Sequence, residues 1–322
     1  MEKLPSQEAT AKVSSIFVYP IKSCGGISVS EAPITPTGFR WDRQWMVINA
    51  KGRAYTQRVE PKLACVEVHL PKEAFQEGWE PSSSSYMVLK APGMDVLEIS
   101  LSTPQVRVKG VRVWEWTGDA VDEGDDASKW FSDYLGKPSS RLVRFNSASA
   151  TRPVKTSFWS HKPVEPEYAR GKQIMFSDLF PYMIASQASL DTLNEHLKDP
   201  VPINRFRPNL LIDGCEPFSE DLWTDVKINN FTFQCCMLCY RCKIPKVNQE
   251  TGIEGTEPNE TLKKFRSDAI VYPSRKQRGR VYFGQYLVCK DNLIAGVEGN
   301  VIKVGDHLHV LNMVSSADEV PE

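Results

Sequence analysis

Short β-prone runs follow one another through the first 120 residues too closely for crossover helices to fit between them. They are Ser14–Tyr19, stopped by Pro20, then Trp45–Asn49, Ala64–Leu70, Tyr86–Leu89, Val96–Leu101 and Val106–Trp116. Parallel strands need connections of a dozen or more residues, whereas antiparallel ones need only a turn. Asn49-Ala50-Lys51-Gly52 is such a turn, leading into Arg53–Tyr55 in a hairpin-like pattern. Gln76–Ser85 reads as a polar loop. The first part of the chain is therefore β-rich and not a βαβ array.

Helical spacing is scarce. Asp125–Gly136 combines an acidic start, apolar residues on one face and a terminal glycine, which predicts an amphipathic helix. Residues 144–166 are rich in Ser, Arg and Pro without periodicity, as in a linker or long functional loop. Beyond Gln173–Asp178 a second helix is predicted, with Ser186 as its N-cap and Ala188, Leu190, Leu193 and Leu197 on one face. Asn209–Ile212 reads as a strand ending in Asp213-Gly214. Val226, Ile228, Phe231 and Phe233 flank Asn229-Asn230 as a two-residue hairpin, and residues 300–311 read as strand, turn and strand. With 322 residues, the chain is long for one core and comfortable for two. The expected class is α+β, with two β-rich, barrel-like domains and a few helices.

A net charge of −1 gives no support for nucleic-acid or membrane-surface binding. No run approaches the roughly 20 apolar residues of a transmembrane helix. The N-terminus lacks a signal-peptide core, and Glu2 and Glu8 argue against a transit peptide. A soluble intracellular protein is expected, cytoplasmic, with mitochondrial association also compatible. In a reducing compartment its eight cysteines serve as ligands, catalysts or core residues rather than disulfides.

Four of them crowd into eight residues, Cys235, Cys236, Cys239 and Cys242. Cys236-x2-Cys239-x2-Cys242 matches the opening of a ferredoxin run, but position 246 is lysine, so a fourth ligand would have to be remote, such as Cys215 or Cys289. Structural zinc usually takes two separated pairs, and His307 and His309 could join only from one strand face. In the third reading one thiolate, Cys242 between Arg241 and Lys243, reaches a metal held mainly by something else. Strand alternation would then put Cys236 and Cys242 on one face and Cys239 on the other. Cys235, Cys236 and Cys239 themselves read best as small buried residues at a strand end.

Three other segments set cations beside structural punctuation. Tyr19–Gly26 ends a strand in a glycine-containing loop presenting Lys22, Ser23 and backbone N–H groups, which suits an anion but lacks the P-loop order. Arg43 precedes the Trp45 strand, with Asp42 beside it. Arg205 and Arg207 precede the Leu210 strand, where Pro208 fixes the backbone. Each alone is explained by structure. Together with a thiolate they fit a phosphorylated organic cofactor with a metal at its far end.

In this order the segments resemble the MOSC-domain proteins, specifically the amidoxime-reducing components. The matching stretches are Tyr19-Pro20-x-Lys22-Ser23-Cys24, Gly38-x3-Asp42-Arg43-x-Trp45, Ser177-Asp178 with Pro181, Phe206-Arg207-Pro208-Asn209, Cys239-x-Arg241-Cys242, Gln249–Gly252, Phe283-Gly284-Gln285-Tyr286 and Val304-Gly305-Asp306. The resemblance implies a MOSC N-terminal domain over residues 12–143 and a MOSC domain over 144–312, with a molybdenum–molybdopterin cofactor (Mo-MPT) between them. By position Cys242 would be the molybdenum ligand and catalytic residue. Lys22, Ser23, Arg43 and Arg207 would bind the pterin phosphate and its surroundings, and Asp178, Tyr240, Arg241 and Tyr286 would line the cofactor. The implied activity is reduction of N-hydroxylated compounds (amidoximes, hydroxylamines) to N–H products. Electrons would come from NADH through cytochrome b5 reductase and cytochrome b5. The absence of G-x-G-x-x-G and C-x-x-C-H motifs is consistent with separate donors. A MOSC-type cofactor carrier without turnover is the alternative. Animal members carry an N-terminal membrane anchor with no counterpart in this sequence, and Cys235 and Cys236 lie outside the motif.

Overall fold

The computed structural model describes residues 11–102, 106–148, 150–154, 167–291, 293 and 299–320. It is mostly β, with four α-helices and several 3-10 turns. An eight-stranded sheet runs in the order Leu308–Met313, Trp223–Ile228, Phe231–Tyr240, Tyr282–Cys289, Tyr182–Ser186, Leu210–Asp213, Lys12–Val18 and Ile27–Val29. The chain's first two strands therefore extend a sheet built otherwise from its second half, with Ile27–Val29 at the edge. Val13 pairs with Ile212 and Ile16 with Leu210, and all four are buried. A four-stranded sheet (Trp45–Ile48, Arg141–Phe145, Trp116–Asp122, Arg107–Val113) and two three-stranded sheets complete the fold.

Antiparallel pairing dominates, as the close strand spacing predicts, but among the described residues one pair of strands is parallel. Tyr182–Ser186 runs parallel to Leu210–Asp213, and the helix Gln187–Glu195 lies in the crossover between them. Sequence patterning misses the strand Tyr182–Ser186 because all five residues are buried, so no alternation marks it. The helix itself starts where expected: Ser186 Oγ accepts the Ser189 N–H at 3.0 Å, and Leu190, Leu193 and Leu197 are buried. The helix Asp125–Leu135 buries Ala127, Trp130, Phe131 and Leu135 and ends at Gly136 in the left-handed region that glycine favours.

Two boundaries differ from the sequence reading. The run Ala64–Leu70 is a 3-10 turn, Pro61–Cys65, followed by the strand Glu67–His69, because Pro61 starts a turn rather than a strand. The run Val106–Trp116 is two strands, Arg107–Val113 and Trp116–Asp122, joined by Trp114 and Glu115. No turn residue marks that reversal. The Asn229-Asn230 hairpin is present, with Ile228 paired to Phe231. Of the predicted linker, residues 144–145 finish the strand Arg141–Phe145, and residues 149 and 155–166 lie outside the described residues. No helix among the described residues is long and apolar enough to cross a membrane.

Candidate functional site

The strand Lys12–Val18 leads into the loop Tyr19–Gly26, whose Lys22 and Ser23 line a cavity of about 580 Å³. The loop is close-packed: a Cβ on Gly26 would meet the Tyr19 ring at 2.4 Å, and one on Gly25 would meet the Val66 carbonyl oxygen at 2.9 Å. These glycines allow close approach and, unlike a P-loop, do not supply a positive φ. Lys22 is held by its own N–H to the Trp45 carbonyl at 2.8 Å and by Nζ to the Phe176 carbonyl at 2.8 Å. Its Nζ also donates to Asp178 Oδ1. Ser23 has φ +71, and its carbonyl accepts Gln57 Nε2 at 2.7 Å.

Arg43 and Arg207, remote in sequence, meet over one ring. Each guanidinium carbon lies 4.3 Å from the Tyr19 ring centroid. Arg43 donates to Asp42, to Asn209 Oδ1 at 3.1 Å and to the Arg207 carbonyl at 3.2 Å. Both residues have positive φ, +49 and +56. Strained backbone at two adjacent cations is the kind of local tension that function imposes and surrounding structure must hold. Burial pulls the Arg207 guanidinium down to about 10, although Tyr19 opposes this. Gln249 joins the group, pairing its amide with Gln57 at 2.9 and 3.1 Å and accepting Arg207 Nη1 at 3.4 Å.

Asp178 is the carboxylate hub. It accepts Lys22 Nζ, Arg58 Nη2 at 2.9 Å and Trp114 Nε1 at 3.2 Å. Burial alone would raise its pKa, but the facing Lys22 and Arg58 hold it well below the usual carboxylate range. Burial lowers the Lys22 ammonium to about 8 despite Asp178. Arg152 fixes the backbone that presents Asp178, donating to the carbonyls of Met175 at 2.7 Å and Asp178 at 3.2 Å, and to that of Ser177.

The cysteine run divides among separate environments. Cys235, Cys236 and Cys239 are buried, each in a different apolar cluster. Among the described residues no group of three or more His, Cys, Asp or Glu could hold a metal ion. The iron–sulfur and zinc readings thus lose their ligand sets. Strict alternation also fails: the strand Phe231–Tyr240 shifts register between Cys235 and Met237 and between Leu238 and Tyr240, and it stops before Cys242. Cys239 and Cys242 therefore both border the cavity, contrary to the opposite faces expected. Cys239 is occupied, since Arg241 Nη1 lies 2.8 Å from its Sγ. Cys242 is half-buried, and its Sγ accepts the Ile244 N–H at 3.5 Å.

Lys22, Ser23, Arg43, Asp178, Arg207, Tyr240, Arg241, Cys242 and Tyr286 all line this one cavity. Sequence reasoning missed Arg58 and Trp114, which line it too. Arg58 sits in a turn without periodicity, and nothing in its neighbours marks it. Burial works against the Arg58 charge, yet Asp178 and Cys242 raise its pKa.

The chemistry of the wall fits a polyanionic cofactor with a soft metal. Five cations (Lys22, Arg43, Arg58, Arg207, Arg241) face two carboxylates (Asp178, Glu115), an excess suited to a phosphate. Among the described residues, Arg58 Nη1 and Arg241 Nε are buried donors without an acceptor. Phe180, Tyr182, Met183 and Phe206 give a flat ring system an apolar wall.

Residues 10–138 match the MOSC N-terminal beta barrel domain and residues 171–309 the MOSC domain. The chain is 34% identical over 282 residues to mitochondrial amidoxime reducing component 2 of Rattus norvegicus, covering 85% of this chain and 78% of that protein. It is 31% identical over 306 residues to the Homo sapiens component 1, covering 93% and 82%. It is also 32% identical over 285 residues to molybdenum cofactor sulfurase of Danio rerio, covering 87% of this chain but 32% of that protein.

Proposed function

This chain belongs to the family that joins a MOSC N-terminal β-barrel domain to a MOSC domain and includes the amidoxime-reducing components, and from that premise we propose that it is a molybdenum-dependent oxidoreductase reducing N-hydroxylated compounds to N–H products. The observation that carries this reading is the convergence of a half-buried thiol, Cys242, and a surplus of cations on one cavity.

In this reading Cys242 Sγ is the protein's ligand to molybdenum, and the Ile244 N–H donates to that sulfur. Lys22, Ser23, Arg43 and Arg207 take the pterin phosphate, with Tyr19 and Gln57 holding the last two cations and the Ser23 loop in register. Asp178 stays ionised and aims Lys22 and Arg58, so it orients cations and is not a proton donor. Tyr240, Arg241 and Tyr286 line the cofactor, and Phe180 stacks on the Tyr286 ring, with centroids 5.2 Å apart. When bound, the molybdenum centre supplies the two-electron chemistry that takes oxygen from N–OH and, with two protons, releases water and the N–H product. Cytochrome b5 and its NADH-dependent reductase are the proposed electron donors.

A second reading, a MOSC-type cofactor carrier without turnover, draws on the likeness to the Danio rerio sulfurase. Turnover separates the two. Molybdenum-loaded protein supplied with NADH, cytochrome b5 reductase and cytochrome b5 is expected to convert benzamidoxime to benzamidine. Loaded protein that reduces nothing, either with these donors or with a chemically reduced dye, leaves the carrier reading standing and ends the enzyme reading.

A further inference from the structure

The two-residue turn between the strands Arg107–Val113 and Trp116–Asp122 is closed by Val113 pairing with Trp116. Its first residue, Trp114, has φ +54, while Glu115 is not in the positive region. Turns of this shape favour glycine at that first position, because left-handed backbone crowds any Cβ. A tryptophan stands there instead. Core packing does not explain it, since the residue is 48% exposed.

The ring is nonetheless anchored. Its Nε1 donates to Asp178 Oδ1 at 3.2 Å, and the Arg58 guanidinium carbon lies 4.9 Å from its centroid. Trp114 lines the same cavity as Arg58, Tyr240 and Cys242. A large aromatic held in strained backbone, half-exposed and fixed at a cavity wall, presents a stacking surface. We propose that Trp114 is the platform on which the planar part of the substrate lies, so that the site selects N-hydroxylated compounds whose N–OH group is conjugated to an aromatic ring over small aliphatic ones. This inference rests on the N-reducing reading of the cavity.

The test compares wild type with Trp114→Gly, which removes the ring and suits the turn, and with Trp114→Phe, which keeps a ring but loses the bond to Asp178. Rates are normalised to molybdenum content. The ratio of kcat/KM for benzamidoxime to that for acetamidoxime should fall about five- to tenfold in the glycine variant, carried by KM, and stay near wild type in the phenylalanine variant. Calorimetric affinity for benzamidine should weaken by a similar factor in the glycine variant only. An unchanged ratio in Trp114→Gly, or an equal fall in Trp114→Phe, overturns the proposal. If wild type reduces neither amidoxime, the functional reading has failed and benzamidine binding alone decides: weakening confined to the glycine variant sustains the platform, and no binding or no weakening overturns it.

Discussion

Asp178→Asn isolates the electrostatic claim on which the site's geometry depends. The substitution keeps the side chain's shape but removes the charge that compensates Lys22 and Arg58, whose side chains are only 6% and 22% exposed. Removing one partner of a buried ion pair costs about 3–5 kcal/mol; Asp178 is itself about a quarter exposed, so the lower end, about 3 kcal/mol, applies. With an m-value of about 3 kcal/mol per M, the urea midpoint of the cofactor-free protein should fall by about 1 M at pH 6. The penalty should shrink as pH rises. Lys22 titrates near 8 in the fold against 10.5 ordinarily, so the unfolded chain holds more protons between those values and stability rises with pH there. Without Asp178 the folded value drops further, the rise begins at lower pH, and the variant's curve approaches that of wild type by pH 9. A midpoint equal to wild type at pH 6, or an equal loss at pH 6 and pH 9, would refute the reasoning.

Cys242→Ser should lower benzamidoxime turnover by more than about 100-fold, beyond the effect typical of outer-shell changes, with an unchanged circular dichroism spectrum. Activity that survives it means another residue is the ligand. Cys235→Ala and Cys236→Ala should each lower stability by about 1 kcal/mol, because both thiols are buried in apolar clusters, and should leave molybdenum content alone; metal analysis beside thermal melts decides. Burial, and after it the charge of the adjacent Asp221, pushes the Glu220 carboxyl up to about 7 from 4.5. The fold therefore holds more protons than the unfolded chain between those values, and wild-type stability falls as pH rises from 4.5 to 7, by at most about 1.4 kcal/mol per pH unit. Glu220→Gln should flatten that fall, which urea midpoints across the range would reveal.

How much of this was legible in the sequence depends on how local each signal is. Lys22 and Arg207 sit where a strand meets Pro or Gly, so their presentation at element ends could be read directly. The meeting of Arg43 and Arg207 over Tyr19 could not, because it depends on Lys12–Val18 pairing with Leu210–Asp213 across nearly two hundred residues. Cys242 stood out by its flanking charges, but the face of Cys239 did not, since two register shifts break the period-two rule within one strand. Trp114 was hidden for the opposite reason: a β-prone residue occupies a turn position that composition would assign to glycine, so two strands read as one.

The measurement closest to the central claim is metal and pterin analysis of the purified protein and of Cys242→Ser. Multi-thiolate readings and the single-thiolate reading differ there without any assay of turnover. The account predicts about one molybdenum per wild-type chain with releasable pterin, and a changed sulfur shell around molybdenum in the variant. Iron with acid-labile sulfide, or zinc, with no pterin in the wild type would contradict it.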